Sequence, residues 1–158
     1  MKLANNFEDV LKVFNQYQVD FIIVGGYAVI FHGYGRTTGD LDIWVNPVEQ
    51  NRQKLIDAFS HLEYDQRLID YLKTTDFSKP FAIKLGDEPI QLDVFNAITG
   101  VSYDIAAPKS ISFKFSEALE ARFINLPELI INKMLSGRLK DQADVEELQR
   151  ISKYNGNT

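Results

Sequence analysis

Apolar and polar positions alternate along this chain with two distinct periods. Phe7, Val10, Leu11, Phe14 and Tyr17 recur at helical spacing, which predicts a first amphipathic helix behind an Asn5-Asn6 cap. Phe21-Ile22-Ile23-Val24 then reads as a short buried strand that stops at Gly25-Gly26. Residues from Tyr27 to about His32 favour a short helix, ended by Gly33-Tyr34-Gly35, and Asp40 to Val45 reads as a second strand. Asn46-Pro47-Val48-Glu49 is a helix start, with Asn46 as cap and Glu49 closing a capping box, and the helix runs to His61 or Leu62. Tyr64 to Thr75 fits a ragged helix or a helix and loop, and Phe81–Leu85 with Ile90–Phe95 fits a β-hairpin across Gly86-Asp87-Glu88-Pro89. Ile111 to Phe115 alternates as a strand, with Ala121 to Leu126 beside it. Pro127 opens a helix carrying Leu129, Ile130, Ile131 and Met134, which Gly137 ends, and Asp141-Gln142-Ala143-Asp144 caps a last helix to about Lys153. The expectation is one α+β domain over residues 1–158, with a core at about 20–96 and C-terminal helices at about 127–153.

Composition narrows the function classes. The 158 residues include no cysteine, so disulfides, thiol nucleophiles and thiolate zinc sites are excluded. A net charge of -5 argues against indiscriminate affinity for nucleic acid, which needs clustered Lys and Arg. No apolar run is long enough to span a bilayer and the first residues do not read as a secretory signal, so a cytoplasmic location is expected. His32 and His61 lack metal-ligand spacing and read as helix or core residues.

The candidate chemistry lies in the carboxylates. Residues two apart on a strand share a face, so Asp40, Asp42 and Trp44 point one way while Leu41, Ile43 and Val45 point the other. The first two carboxylates then stand ~7 Å apart along the backbone. Asp93 lies out of phase with Leu92 and Val94, so on a neighbouring strand it would join them. Three such anions repel one another, and bound Mg²⁺ would relieve the repulsion; an all-Asp site suits a hard divalent ion. A two-ion arrangement assigns Asp40 and Asp42 to both ions and Asp93 mainly to the ion that activates an attacking hydroxyl, with Mn²⁺ as a substitute. Gly25 and Gly26 lack Cβ atoms and leave backbone N–H groups open to phosphate. Arg36, Thr37 and Thr38 fall in the connecting loop, where they could contact a triphosphate or ribose. Trp44 and Phe95 read first as packing aromatics, with base stacking left open.

The combination of Val24-Gly25-Gly26-Tyr27, Gly39-Asp40-Leu41-Asp42 and Gln91-Leu92-Asp93-Val94 resembles the signature of the DNA polymerase β-like nucleotidyltransferase superfamily. It is similar to compact bacterial nucleotidyltransferases related to type IV toxin–antitoxin toxins and to antibiotic nucleotidyltransferases. The resemblance implies a mixed sheet flanked by helices, with Asp40, Asp42 and Asp93 catalytic and metal-binding, and Gly25, Gly26, Arg36 and Thr38 on the nucleotide. Lys133, Arg138, Lys140 and Asp141 look like the C-terminal segment of those relatives, where Lys133 would reach the triphosphate and Asp141 would act there or only cap a helix. The implied reaction moves a nucleoside monophosphate from an NTP to an acceptor hydroxyl and releases pyrophosphate. The acceptor is expected to be a small molecule or protein, with tRNA kept open, and an antitoxin-like protein is an implied partner. Other classes stay open: a nucleotide- or metal-binding module that has lost catalysis and acts through a partner protein, a sugar-nucleotide transferase, or an aspartyl phosphatase.

Overall fold

A computed structural model describes residues 1–156 and shows a six-stranded mixed sheet carrying seven α-helices among those residues. The strands are β1 (Phe21–Val24), β2 (Leu41–Val45), β3 (Ala82–Leu85), β4 (Leu92–Phe95), β5 (Ile111–Ser116) and β6 (Leu119–Phe123). They lie in the order β3-β4-β2-β1-β6-β5. β1 runs antiparallel to β2 and parallel to β6, β2 is parallel to β4, and the two outer pairs are antiparallel. The helices are α1 (Asn5–Gln16), α2 (Gly25–Phe31), α3 (Glu49–His61), α4 (Gln66–Thr74), α5 (Tyr103–Ala106), α6 (Leu126–Ser136) and α7 (Leu139–Gly156). None of the helices is long and apolar enough to cross a membrane.

The central strands are apolar on both faces because both faces are covered. Ile22, Ile23, Leu41, Ile43 and Val45 are fully buried. The stripe on α1 packs Phe14 edge-on against Phe21 and Phe59, which joins α1, β1 and α3 in one core. Aromatic pairs of this kind add about 0.5–1.5 kcal/mol beyond burial.

Several expected boundaries move, each for a local reason. α1 includes Asn5, with Ala4 at the N-cap position, so the expected Asn5-Asn6 cap is incorrect. α2 begins at Gly25 rather than Tyr27, so the double glycine is the first turn of the helix. Asn46 does not cap α3, which starts at Glu49 behind Val48. Its side chain donates instead to Asp20 Oδ2 at 2.8 Å, while Asn51 bonds the backbone of both Asp20 and Asn46, so the end of β2 is laced to the start of β1. Tyr103 and Arg122 complete this polar knot at Asp20. The final helix starts at Leu139, which puts Asp141 inside its first turn and removes the cap reading for that residue. β6 ends at Phe123, since Asn125 turns the chain by accepting from the Glu128 backbone and so begins α6 early.

Candidate active site

The site forms where β1 ends. Its last residue, Val24, pairs with Asp42, and Asp42 in turn pairs with Asp93 on the parallel strand β4. Equal register between parallel strands sets those two carboxyl groups side by side on one face. Gly25 follows at φ +65°, and a Cβ built there would overlap the Asp42 carboxylate. A Cβ on Gly26 would lie 2.5 Å from Thr38 Oγ1 and 3.2 Å from Arg36 Nη2. The double glycine therefore lets three polar side chains close directly onto backbone, a demand that any larger residue would break. Asp40 stands just before β2, half-buried at the rim.

Burial and crowding disturb the acids. Asp42 is pushed up to about 6, chiefly by burial and then by the charges of Asp93 and Asp40, with Lys133 opposing them. Asp93 is raised by burial as well, against the pull of Lys84, and Asp40 adds to the rise. The Oδ1 atom of Asp93 is buried without a hydrogen-bond partner among the described residues. Two adjacent carboxyls with an idle buried oxygen form a site short of positive charge.

The cations nearby are already engaged. Lys133 on α6 is only 6% exposed, and its ammonium donates to Asp141 Oδ1 at 2.9 Å and Asp144 Oδ2 at 2.8 Å. Arg36 reaches Asp144 from the α2–β2 loop, with Nε 2.9 Å from Oδ1 and Nη2 3.0 Å from Oδ2. Asp141 also accepts from Ser136 and Arg138. Burial alone would raise its pKa, yet these hydrogen bonds and Lys133 hold it down at about 2. Asp144 is thus the common anchor of both cations that sequence pattern placed on the nucleotide. From sequence Asp144 reads only as part of a helix cap; its spacing of three from Asp141 on one helix is the signal that the two share a face.

Together these parts line a cleft of about 1040 Å³ that holds Gly25, Gly26, Arg36, Thr38, Asp40, Asp42, Asp93 and Lys133. Of the loop residues singled out from sequence, Arg36 and Thr38 line it, while Thr37 is exposed and does not. His32 and His61 are elsewhere, bonded to the Ile124 carbonyl and the Tyr17 hydroxyl. Trp44 is buried edge-on against Tyr103, which makes it a packing residue. Among the described residues no group of three or more His, Asp or Glu side chains is set to hold a metal ion. Asp42 and Asp93 nonetheless fit one hard divalent ion, because the idle Asp93 oxygen and the raised Asp42 both call for a cation. Asp40 acts on both through its charge.

No curated protein matches the chain. A family model does, over residues 1–156, and its description is a nucleotidyltransferase of unknown function (DUF6036). The match accords with the nucleotidyltransferase resemblance carried by Gly25-Gly26 and the aspartates, and the chain belongs to that family.

Proposed function

We propose that this protein transfers a nucleoside monophosphate from an NTP to an acceptor hydroxyl in a Mg²⁺-dependent reaction that releases pyrophosphate. The observation that carries the reading is the register pair Asp42–Asp93 set against the Gly25 backbone in an open cleft. Mg²⁺ held by Asp42 and Asp93, with Asp40 beside them, would neutralise phosphate charge and make the acceptor hydroxyl easier to deprotonate. Mn²⁺ would serve the same donors, and a second ion would require Asp40 to close in.

The chain's own residues bind and orient the substrate. Gly25 and Gly26 keep the end of β1 free of side chains. Arg36 lies against Gly26 with a side chain 29% exposed, which leaves it able to meet the departing pyrophosphate. Thr38 offers a hydroxyl on the same side. Lys133 contributes positive potential from beneath, through its field at Asp42, while Asp141 and Asp144 hold its ammonium in place. The reading extends to a cytoplasmic protein that acts on a small molecule or a protein and is controlled by an antitoxin-like partner.

A second reading is a module that binds nucleotide without turnover. It is favoured by the pairing of Lys133 and Arg36 with Asp144, which ties up charge that phosphate would use. Thermal unfolding with each NTP, with and without Mg²⁺, tests the site: a ligand at a hundred times its Kd stabilises by about 2.7 kcal/mol. Stabilisation that needs Mg²⁺ and disappears in Asp42→Asn supports the nucleotide site. Pyrophosphate release then separates the enzyme from the binding module. No response to any NTP would overturn both.

A further inference from the structure

The proposed reaction has two substrates, and the sheet order determines from which side the second one comes. Displacement at the α-phosphorus is in line, so the acceptor oxygen enters opposite the departing pyrophosphate. The glycines and Arg36 mark the pyrophosphate side, at β1 and the start of α2. Across the sheet the next strands are β2, β4 and β3. The acceptor must therefore lie over β4 and β3.

That half of the cleft is chemically unlike the other. Two cross-strand pairs form its floor, Asp93 with Lys84 and Phe95 with Ala82. Ala97 continues the same face of the chain beyond Phe95, and Ile98 follows it on the cleft wall. Phe95 and Ile98 are half-buried, and Ala82 and Ala97 are exposed, so an apolar ledge opens beside Asp93. Phe95 packs against the core and also lines the cleft, with the small alanines beside it. Of the cleft-lining cations among the described residues, only Lys84 stands on these two strands; Arg36, Lys133, Arg138 and Lys140 come from the α2–β2 loop and the α6–α7 segment.

We infer that the acceptor is a hydroxyl compound with an uncharged aromatic or apolar body, seated on Phe95, Ala82, Ala97 and Ile98 with its hydroxyl at Asp93. The inference rests on the nucleotidyl-transfer reading of the same cleft. In the reaction the acceptor oxygen bonds the α-phosphorus while the bond from that phosphorus to the bridging oxygen breaks. The electron pair departs with pyrophosphate and the hydroxyl proton passes to solvent. A polyanionic acceptor is disfavoured, since Lys84 and Lys140, the two lysines whose charge acts on Asp93, cannot offset a run of phosphates.

The experiment supplies Mg²⁺, the most stabilising NTP, and equal concentrations of ethanol and 2-phenylethanol to the full chain, and quantifies the two nucleotidyl esters by mass spectrometry. Burying a phenyl group on the ledge is expected to favour the 2-phenylethyl ester by roughly tenfold or more. Phe95→Ala and Ala82→Trp should both erase that preference while leaving Mg²⁺-dependent stabilisation by NTP in place. Ala82→Trp fills the ledge at an exposed strand position, so it tests the seat even if Phe95→Ala unfolds. Equal esters, or no ester while pyrophosphate is still released from NTP, would overturn the seat alone; NTP bound with neither ester nor pyrophosphate would overturn the transfer reading and the seat with it. Loss of NTP stabilisation in Ala82→Trp would assign the ledge to the nucleobase and overturn it too. Absence of any NTP response in the native chain would overturn the nucleotide site and the seat together.

Discussion

Asp42 is boxed in by the Gly25 backbone on one side and Asp93 on the other, and Lys133 acts on it through its charge. Replacing it by Asn removes a repelling charge at little change in shape. Asp42→Asn is therefore expected to keep or raise the melting temperature of the ligand-free protein while abolishing the Mg²⁺-dependent response to NTP; a large fall in ligand-free stability would show that Asp42 serves the fold instead. Gly26 makes the opposite prediction. Gly26→Val drives branched carbons into Thr38 and Arg36, so both stability and NTP response should fall, by about 1–3 kcal/mol for overpacking. Calorimetry with and without nucleotide checks both effects, and an unchanged melting curve would remove the steric account.

At the scale of elements, α6 and α7 are joined by charge as well as by packing. Lys133 lies between Asp141 and Asp144, and Arg36 extends the cluster to the α2–β2 loop. Removing one partner of a buried ion pair leaves the rest uncompensated, so Asp144→Ala should cost about 3–5 kcal/mol in urea unfolding. A cost below about 1 kcal/mol would mean that the cluster is solvated, as surface ion pairs are. The same cluster makes stability depend on pH. Asp141 is held at about 2 in the folded chain, well under its unfolded value, so its contribution is complete above the usual carboxylate range and is lost as pH falls towards 2. Asp141→Asn should flatten that acid limb in a series of melts between pH 5 and pH 2, and an unaltered limb would contradict the assignment.

Across the whole molecule, the cleft is built by segments far apart in the chain: the β1–α2 junction, the inner strands β2 and β4, the edge strand β3, and the α6–α7 corner. Nucleotide bound there would bridge them. Hydrogen exchange with Mg²⁺ and NTP is expected to slow in two regions together, 25–29 and 133–144, as local opening of either releases the ligand. Protection confined to the first region would detach the C-terminal helices from the nucleotide.

How much of this was legible in the chain follows from the range of the forces involved. Hydrophobic period and glycine position are local, and they sufficed for the β1 span, the α3 terminus, the β3–β4 hairpin, and Gly137 as the left-handed end of α6 at φ +70°. The phase of Asp42 and Asp93 against their apolar neighbours was likewise readable, and so was the family; Asp40, read as the first residue of the second strand, lies just before β2 instead. Contacts between distant segments were not. Asn46 has the composition of a helix cap, yet Asp20, 26 residues earlier, takes its side chain. Asp141 and Asp144 look like the start of a helix, and only the packing of α7 on α6 turns them onto Lys133. Phe95 reads as a packing aromatic and does pack against the core, and only the pairing of its strand with β3 at the sheet's margin also sets it in the cleft. Sequence by itself determined which residues are chemically equipped; tertiary structure decided which of them meet, because a side chain bonds whatever partner the fold brings within reach.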